Sequence, residues 1–181
     1  DEYTPYQADS TIDYLYRNID LAKKMRDTQR LDESRIQLAY LYSSAGIYLE
    51  AATLLQQVDT VKLDRKQLVD YYIARHKLND ELQLYSHDSV QGTKSWHLTV
   101  LYAQLIVDNT EPESHTHLSY QLWQAINDRN YAEAVEISER LCSTLPPLSR
   151  GYAEASYMRA LVADLMKDTL TAQVWFARSA M

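Results

Sequence analysis

The sequence contains few of the residues that interrupt regular structure. It has 3 glycines and 4 prolines among 181 residues, too few for the many turns of a β-sandwich or barrel. No apolar run approaches the roughly 18 residues of a membrane-spanning helix, and the first five residues do not resemble a signal peptide. These absences favour a soluble segment made of long helices.

Cysteine and positive charge are also scarce. The lone Cys142 cannot form an internal disulfide, which fits a cytosolic protein and equally a periplasmic one. The formal net charge is −7, from 18 basic and 25 acidic residues. No run of lysine or arginine supplies a local basic patch. Binding to nucleic acid by this segment is therefore not expected.

The clearest pattern lies in residues 32–58. Apolar and small residues recur there at helical spacing, with one interruption at Gly46. Glycine adopts a positive φ at no steric cost, so Gly46 is predicted to end a first helix. Ala39 and Ala51 are small enough to let two helices cross closely. The stretch is predicted to be a helical hairpin.

This hairpin resembles the tetratricopeptide repeat (TPR). Counting Asp32 as position 1, the family pattern at positions 8, 11, 15, 17, 20 and 24 is met by Ala39, Tyr42, Gly46, Tyr48, Ala51 and Leu55. Arg35 stands where the family prefers tryptophan. The resemblance implies an all-α, TPR-like right-handed α-solenoid, in which antiparallel helical hairpins stack because one hairpin cannot bury its apolar face alone.

Two later stretches match the repeat less fully. Residues 115–147 place Tyr131 and Ala134 at positions 17 and 20 and Pro146 where a proline commonly ends the second helix, but Arg129 replaces the glycine. In the stretch 153–181, the small residues Ala160 and Ala172 stand at positions 8 and 20 and the large Phe176 stands at position 24. Lys167 stands at the glycine position. Both are predicted to be repeats.

Other boundaries follow from caps and breakers. Residues 1–7 are predicted to be a non-helical entry segment, and a helix is predicted from Ser10 to about residue 27. Asp64 followed by Gln67 resembles a capping box that starts a helix ending near residue 85. Gly92 indicates a loop over residues 87–94, after which Ser95 is predicted to cap a helix ending near residue 108. This hairpin is predicted to lack the small-residue pattern of the repeat.

The chain is thus predicted to be a single repeat domain, residues 1–181. Its repeats lie at about 32–63, 64–109 (a degenerate hairpin), 115–147 and 153–181. The first helix resembles the second helix of a repeat, so the chain is expected to be a fragment of a longer protein.

Three segments, 9–14, 41–48 and 145–150, together resemble the extracytoplasmic repeat region of membrane-bound regulators of Bacteroidetes, a domain of unknown function. In such regulators a membrane helix connects periplasmic repeats to a coiled coil and a DNA-binding domain. The resemblance implies a periplasmic location, with membrane attachment only through parts of the protein outside this sequence. A cytoplasmic location stays open.

The repeat family also implies candidate binding residues, because its ligands contact positions 2, 5, 9, 12 and 13 of first helices. These positions hold Glu33, Ile36, Tyr40, Ser43 and Ser44, then Ser119, Trp123 and Asn127, then Glu154, Tyr157 and Asp164. Three of them, Tyr40, Trp123 and Tyr157, would form an aromatic stripe suited to an extended peptide, a partner helix or a glycan. Packing between repeats is the alternative role for each residue.

The sequence gives little indication of a catalytic or metal-binding site. Glu111, Glu113, His115 and His117 could face one way in an extended segment, but Ser114 is predicted to start a helix that separates the histidines. No nucleophile or phosphate-binding motif occurs. No catalytic residue, cofactor or metal is expected, and a metal-dependent hydrolase is the least favoured hypothesis.

The sequence therefore predicts a non-enzymatic protein-binding, peptide-binding or sensory module of a bacterial envelope regulator. The alternative is a glycan-binding helical-repeat protein of a nutrient-uptake system. The last helix keeps an apolar face with Val174 and Phe176, which a homo-oligomer or further repeats after Met181 would cover.

Overall fold

The computed structural model of the chain describes residues 3–86 and 89–180. In this part of the chain there are nine α-helices, one short 3-10 helix and no strand. The α-helices are α1 Tyr3–Met25, α2 Thr28–Ser44, α3 Tyr48–Gln56, α4 Arg65–Tyr85, α5 Ser89–Asn109, α6 His115–Asn127, α7 Tyr131–Thr144, α8 Arg150–Leu165 and α9 Thr169–Ser179, and the 3-10 turn is Thr60–Lys62. None of these helices is long and apolar enough to cross a membrane.

The helices form two compact units. Unit 1 is Asp1–Asn109 and unit 2 is Thr110–Met181. In unit 1, α2 packs against α1, α3 and α4, and α4 packs against α5; in unit 2, each helix from α6 to α9 packs against the next. This succession of packed helical hairpins confirms the predicted all-α, TPR-like fold. The assignment of residues 1–181 to one domain stays a prediction.

The hairpin of α2 and α3 has the predicted geometry. Gly46 adopts a φ of +80°, and the following N–H, of Ile47, donates to the carbonyl of Tyr42 at 2.8 Å. Ala39 and Ala51 are both fully buried, as a close helix crossing requires. The predicted turn and small-residue crossing are confirmed.

The corresponding turns of unit 2 adopt the same backbone without glycine. Arg129 has a φ of 58° and Lys167 a φ of 65°. In all three turns the next residue donates its N–H to a carbonyl five residues earlier, at 2.8 to 2.9 Å, the bond that closes a Schellman motif. A side chain in this left-handed region costs about 1–2 kcal/mol. Packing of the hairpin therefore outweighs the local backbone preference.

The start of the chain differs from the prediction. α1 begins at Tyr3, so the non-helical entry segment is wrong for residues 3–7, while Asp1 and Glu2 lie outside the described residues. Pro5 fits because the first turn of a helix has no intrahelical partners for its N–H groups. Ser10 consequently lies within α1 and is not a helix cap.

The predicted loop at 87–94 is also too long. α5 begins at Ser89, and His87 and Asp88 lie outside the described residues. Gly92 is helical, at a cost of about 1 kcal/mol relative to alanine. Ser95 is not the N-cap of a helix, because it lies inside α5, where it is buried together with Thr99 and Ala103.

These three residues show how α5 packs. They recur every four residues and give α5 a buried stripe of small side chains. On α4, which packs against α5, Ala74 is fully buried. The α4–α5 hairpin therefore has small residues in its interior, but at positions that the repeat pattern of the first hairpin does not mark, and its assignment as a degenerate repeat stays a prediction.

Replacing Ala172 of α9 by leucine is expected to lower the free energy of unfolding by about 1–3 kcal/mol, because added methyl groups overpack a closed crossing. Ala172 is 3% exposed. Ala177 lies on the same helix and is exposed, so Ala177→Leu is a matched control that should change stability by less than about 0.5 kcal/mol. Urea denaturation followed by circular dichroism measures both; equal effects would contradict the close crossing.

Candidate functional site

In unit 1, α2 presents a polar and aromatic stripe. Glu33, Tyr40 and Ser44 are exposed and are separated by seven and four residues, so they lie along one side of the helix. The Ser44 hydroxyl donates to the carbonyl of Tyr40 at 3.1 Å. These three predicted binding residues are accessible to a ligand.

Ile36 and Ser43, predicted to bind on the same surface, lie in the interior. Ile36 is 3% exposed and packs in the core of unit 1. Ser43 is fully buried, and its hydroxyl donates to the carbonyl of Ala39 at 2.8 Å. The repeat positions 5 and 12 therefore hold packing residues in this hairpin, and a ligand cannot reach them without opening the core.

The neighbouring helix α4 contributes further groups that the repeat pattern did not mark. We define the α2–α4 face as Glu33, Tyr40, Ser44, Asp70, Lys77 and Glu81. Lys77 donates to Glu81 at 2.6 Å along α4. Both α4 carboxylates and the lysine are partly buried, so their charges interact more strongly than fully solvated ones would.

The pKa of Asp70 depends on charges from both helices of this face. Its pKa is raised, first by burial and then by the negative charges of Glu33 and Asp64, while Lys66 lowers it. The Glu33 contribution shows that a carboxylate of α2 and one of α4 act on each other. Lys66 offsets part of this repulsion, so burial is the main reason for the raised pKa of Asp70.

Lys77 shows the same coupling of the two helices. Burial alone would lower its pKa, but the hydrogen bond and charge of Glu81 outweigh burial, and Tyr40 adds to the increase. The lysine is thus held protonated beside an exposed aromatic ring. The face combines a carboxylate cluster at one end with an ion pair and a tyrosine at the other.

A sequence pattern could have located these α4 residues. Asp70 follows Glu33 by 70 − 33 = 37 residues, and Lys77 follows Tyr40 by 77 − 40 = 37 residues. A shared offset close to the repeat period of 34 places both pairs at corresponding heights on neighbouring first helices.

In unit 2, the predicted residues fall on α6 and α8. Ser119 and Trp123 are partly buried and Asn127 is exposed, with its amide donating to the carbonyl of Trp123 at 2.7 Å. Asp164 is exposed close to the end of α8.

Two further predicted residues, Glu154 and Tyr157, lie close together on α8. They border an open cavity of about 430 Å³ on unit 2. Glu154 accepts a hydrogen bond from Arg150 at 2.8 Å. The Tyr157 ring is 48% exposed and lies 5.8 Å from the ring of Phe176. An aromatic stripe joining these residues with Tyr40 stays a prediction, since Tyr40 belongs to unit 1.

The acidic and histidine segment before α6 is engaged in local contacts. Ser114 accepts the N–H of His117 at 3.2 Å and so caps α6, as predicted. Glu113 pairs with Arg140, and the His117 ring contacts the Thr110 hydroxyl at 3.2 Å. Throughout the described ranges no group of three or more His, Cys, Asp or Glu residues is placed to hold a metal ion.

Comparisons with known proteins place the chain in a family. A comparison with curated proteins and one with solved structures each return no match. A family model for the SusR N-terminal TPR domain matches residues 1–181. TPR domains are generally non-catalytic folds that mediate protein–protein interaction. Because the match spans the whole sequence, the chain belongs to the SusR N-terminal TPR domain family.

Proposed function

We propose that this domain is a non-enzymatic module through which a bacterial envelope regulator binds a partner protein or peptide and senses it. The observation that supports the proposal most directly is the α2–α4 face. It presents an exposed tyrosine between charged groups that two neighbouring helices position together. Repeat arrays of this class use such surfaces for extended segments of partners.

The charges indicate which segment fits. This end of the face holds the carboxylates of Glu33 and Asp70 beside Lys66, and a lysine or arginine of the partner would be attracted to the two carboxylates. An apolar or aromatic side chain would pack on the Tyr40 ring, which is 40% exposed. The proposed ligand is an extended peptide with a basic residue followed by an apolar one.

The proposed context is a periplasmic part of a transcriptional regulator in Bacteroidetes. The resemblance of residues 9–14, 41–48 and 145–150 to such regulators supports it, and so does the name of the matching family. In this setting, partner binding changes the curvature of the repeats or the contacts between two copies, and the change is transmitted to the DNA-binding part.

A pull-down tests the proposal. The domain serves as bait in envelope extract of the source bacterium, beside the double variant Glu33→Lys/Tyr40→Ala. We expect a protein that wild type retains at least about tenfold more than the variant, the effect of losing roughly 1.4 kcal/mol of contacts.

The matched control is Glu50→Lys/Leu49→Ala on α3, which reverses one exposed acid and truncates one exposed apolar residue away from the face. It should retain the partner like wild type. Circular dichroism melts must show that both double variants fold. Equal retention by wild type and the Glu33→Lys/Tyr40→Ala variant, or retention of no protein, would contradict the proposal.

Glycan binding is the second candidate, and the Tyr157 cavity favours it. An exposed ring beside a carboxylate offers a stacking surface and a hydrogen-bond acceptor, which is what a sugar ring requires. A glycan that raises the melting temperature of wild type but not of Tyr157→Ala would support this candidate. The absence of any shift across a panel of oligosaccharides would exclude it for those sugars.

A further inference from the structure

A groove runs between α1 and α2 on unit 1. The α1 wall consists of Tyr14, Asn18, Leu21 and Met25, spaced by four, three and four residues, so they form one stripe on the helix. The α2 wall consists of Arg30, Glu33, Ser34 and Gln37, spaced by three, one and three residues. The groove encloses about 340 Å³, and Ala22, which is 4% exposed, also lines it.

The α1 wall is unusually apolar for an exposed surface. Tyr14 is 64% exposed, Leu21 52% and Met25 62%. Three large apolar side chains along one stripe form a contiguous patch, and such patches on soluble proteins generally indicate interaction sites.

The same chain shows what fills a groove of this kind. The helices α3 and α4 correspond to α1 and α2. In each pair, the second helix of one repeat is followed by the first helix of the next repeat. Helix α2 packs against both α3 and α4. Leu55 of α3 is consequently buried. By this precedent the α1–α2 groove has the shape that accepts one helix.

Length and charge define the occupant. The stripe from Tyr14 to Met25 spans 25 − 14 = 11 residues, or about 16 Å at 1.5 Å per residue, which matches a helix of three turns. Asp27 and Arg30 form an ion pair with each other, so Glu33 leaves the lining with a charge of −1. A helix with a basic edge therefore complements the groove.

We propose that the α1–α2 groove binds an amphipathic helix of a partner protein. This helix places apolar residues at i, i+7 and i+11 against Tyr14, Leu21 and Met25, and a small residue over Ala22. Its lysine or arginine faces Glu33. The groove shares Glu33 with the α2–α4 face, but its three apolar residues belong to α1 alone.

Site-specific photo-crosslinking in the intact regulator, expressed in its own cells, tests the proposal. The crosslinking amino acid p-benzoylphenylalanine replaces Leu21 in the groove and, as a matched control, Lys23, which is exposed on α1 outside the groove. Mass spectrometry identifies the peptide that is joined to each position. We expect Leu21, but not Lys23, to be joined to a peptide of another protein with the apolar and basic pattern given above.

A second variant separates this site from the α2–α4 face. Met25→Glu adds a negative charge to the groove on a side chain that is exposed in the free domain. It should reduce crosslinking at Leu21 at least about tenfold, because the complex loses the methionine contact that binding would bury. The face variant Tyr40→Ala should leave crosslinking unchanged. A crosslinked peptide from the regulator itself, an extended peptide without the helical pattern, or no crosslink at Leu21 would each overturn the proposal.

Discussion

Replacing Asp32 by alanine is expected to lower the free energy of unfolding by about 3 kcal/mol. The Asp32 side chain is 7% exposed and accepts a hydrogen bond from the Arg35 guanidinium at 2.9 Å. Its second oxygen accepts the N–H of Asp59 at 3.4 Å. Removing one partner of a buried ion pair costs about 3–5 kcal/mol, and the lower value applies because Arg35 is 17% exposed.

Two variants give this expectation a control. Lys62→Ala breaks the exposed ion pair with Asp59, where the lysine side chain is 67% exposed, and should lower the stability far less than Asp32→Ala does. Arg35→Leu in the Asp32→Ala background removes the unpaired charge and should recover most of the lost stability. Urea denaturation provides the free energies. A loss below about 1 kcal/mol for Asp32→Ala would show that the pair is not structural.

Arg35 also shows why a repeat pattern predicts the presence of a hairpin more reliably than it predicts the contacts within that hairpin. The sequence shows arginine where the family prefers tryptophan, and the fold is the same. In the structure the guanidinium donates to Asp32 and to the carbonyl of Gln57, at 2.9 and 3.1 Å. It thereby joins α2 to the end of α3 by polar contacts. Helical periodicity predicts which residues are buried, but it does not specify the chemistry that bridges two helices.

Turns were predictable only where local preference and tertiary packing agree. Gly46 identified its turn because glycine favours a positive φ, whereas Arg129 and Lys167 adopt the same geometry against their preference. Gly92 shows the reverse case, since a residue that usually interrupts helices lies within α5. Single-residue preferences of about 1 kcal/mol are smaller than the packing energy of a hairpin.

The candidate site was partly predictable for the same reason. Glu33, Tyr40 and Ser44 are accessible because the first hairpin follows the repeat pattern. Asp70 and Lys77 lie on a hairpin that departs from the pattern, so family positions could not be transferred to it. Their contribution became apparent only when the packing of α2 against α4 placed the two stripes together.

Acidification from pH 6.5 to pH 4 is expected to remove about 3 kcal/mol of stability through His76. This residue lies on α4 and is 7% exposed. Burial, together with a smaller effect of the Lys77 charge, lowers its pKa from 6.5 to about 4. A difference of 6.5 − 4 = 2.5 in pKa corresponds to about 3 kcal/mol.

The sign follows from proton binding. Between pH 6.5 and pH 4 the unfolded chain binds a proton at His76 and the folded chain does not, so the contribution is complete above pH 6.5 and is lost as the pH falls. Asp70 and Asp80 act in the opposite direction, because burial raises the pKa of both carboxyls. Their raised values make the folded state bind protons more readily near pH 4 and so partly mask the histidine.

Comparison of variants isolates the histidine from these carboxyls. His76→Gln has no group that titrates in this range, so its free energy of unfolding should decline about 3 kcal/mol less than that of wild type between pH 6.5 and pH 4. His115→Gln changes an exposed histidine on α6 and should follow the wild-type curve. Urea denaturation at several pH values provides the three curves. If His76→Gln runs parallel to wild type, the imidazole must accept its proton in the folded state, which requires that α4 opens to water at that point.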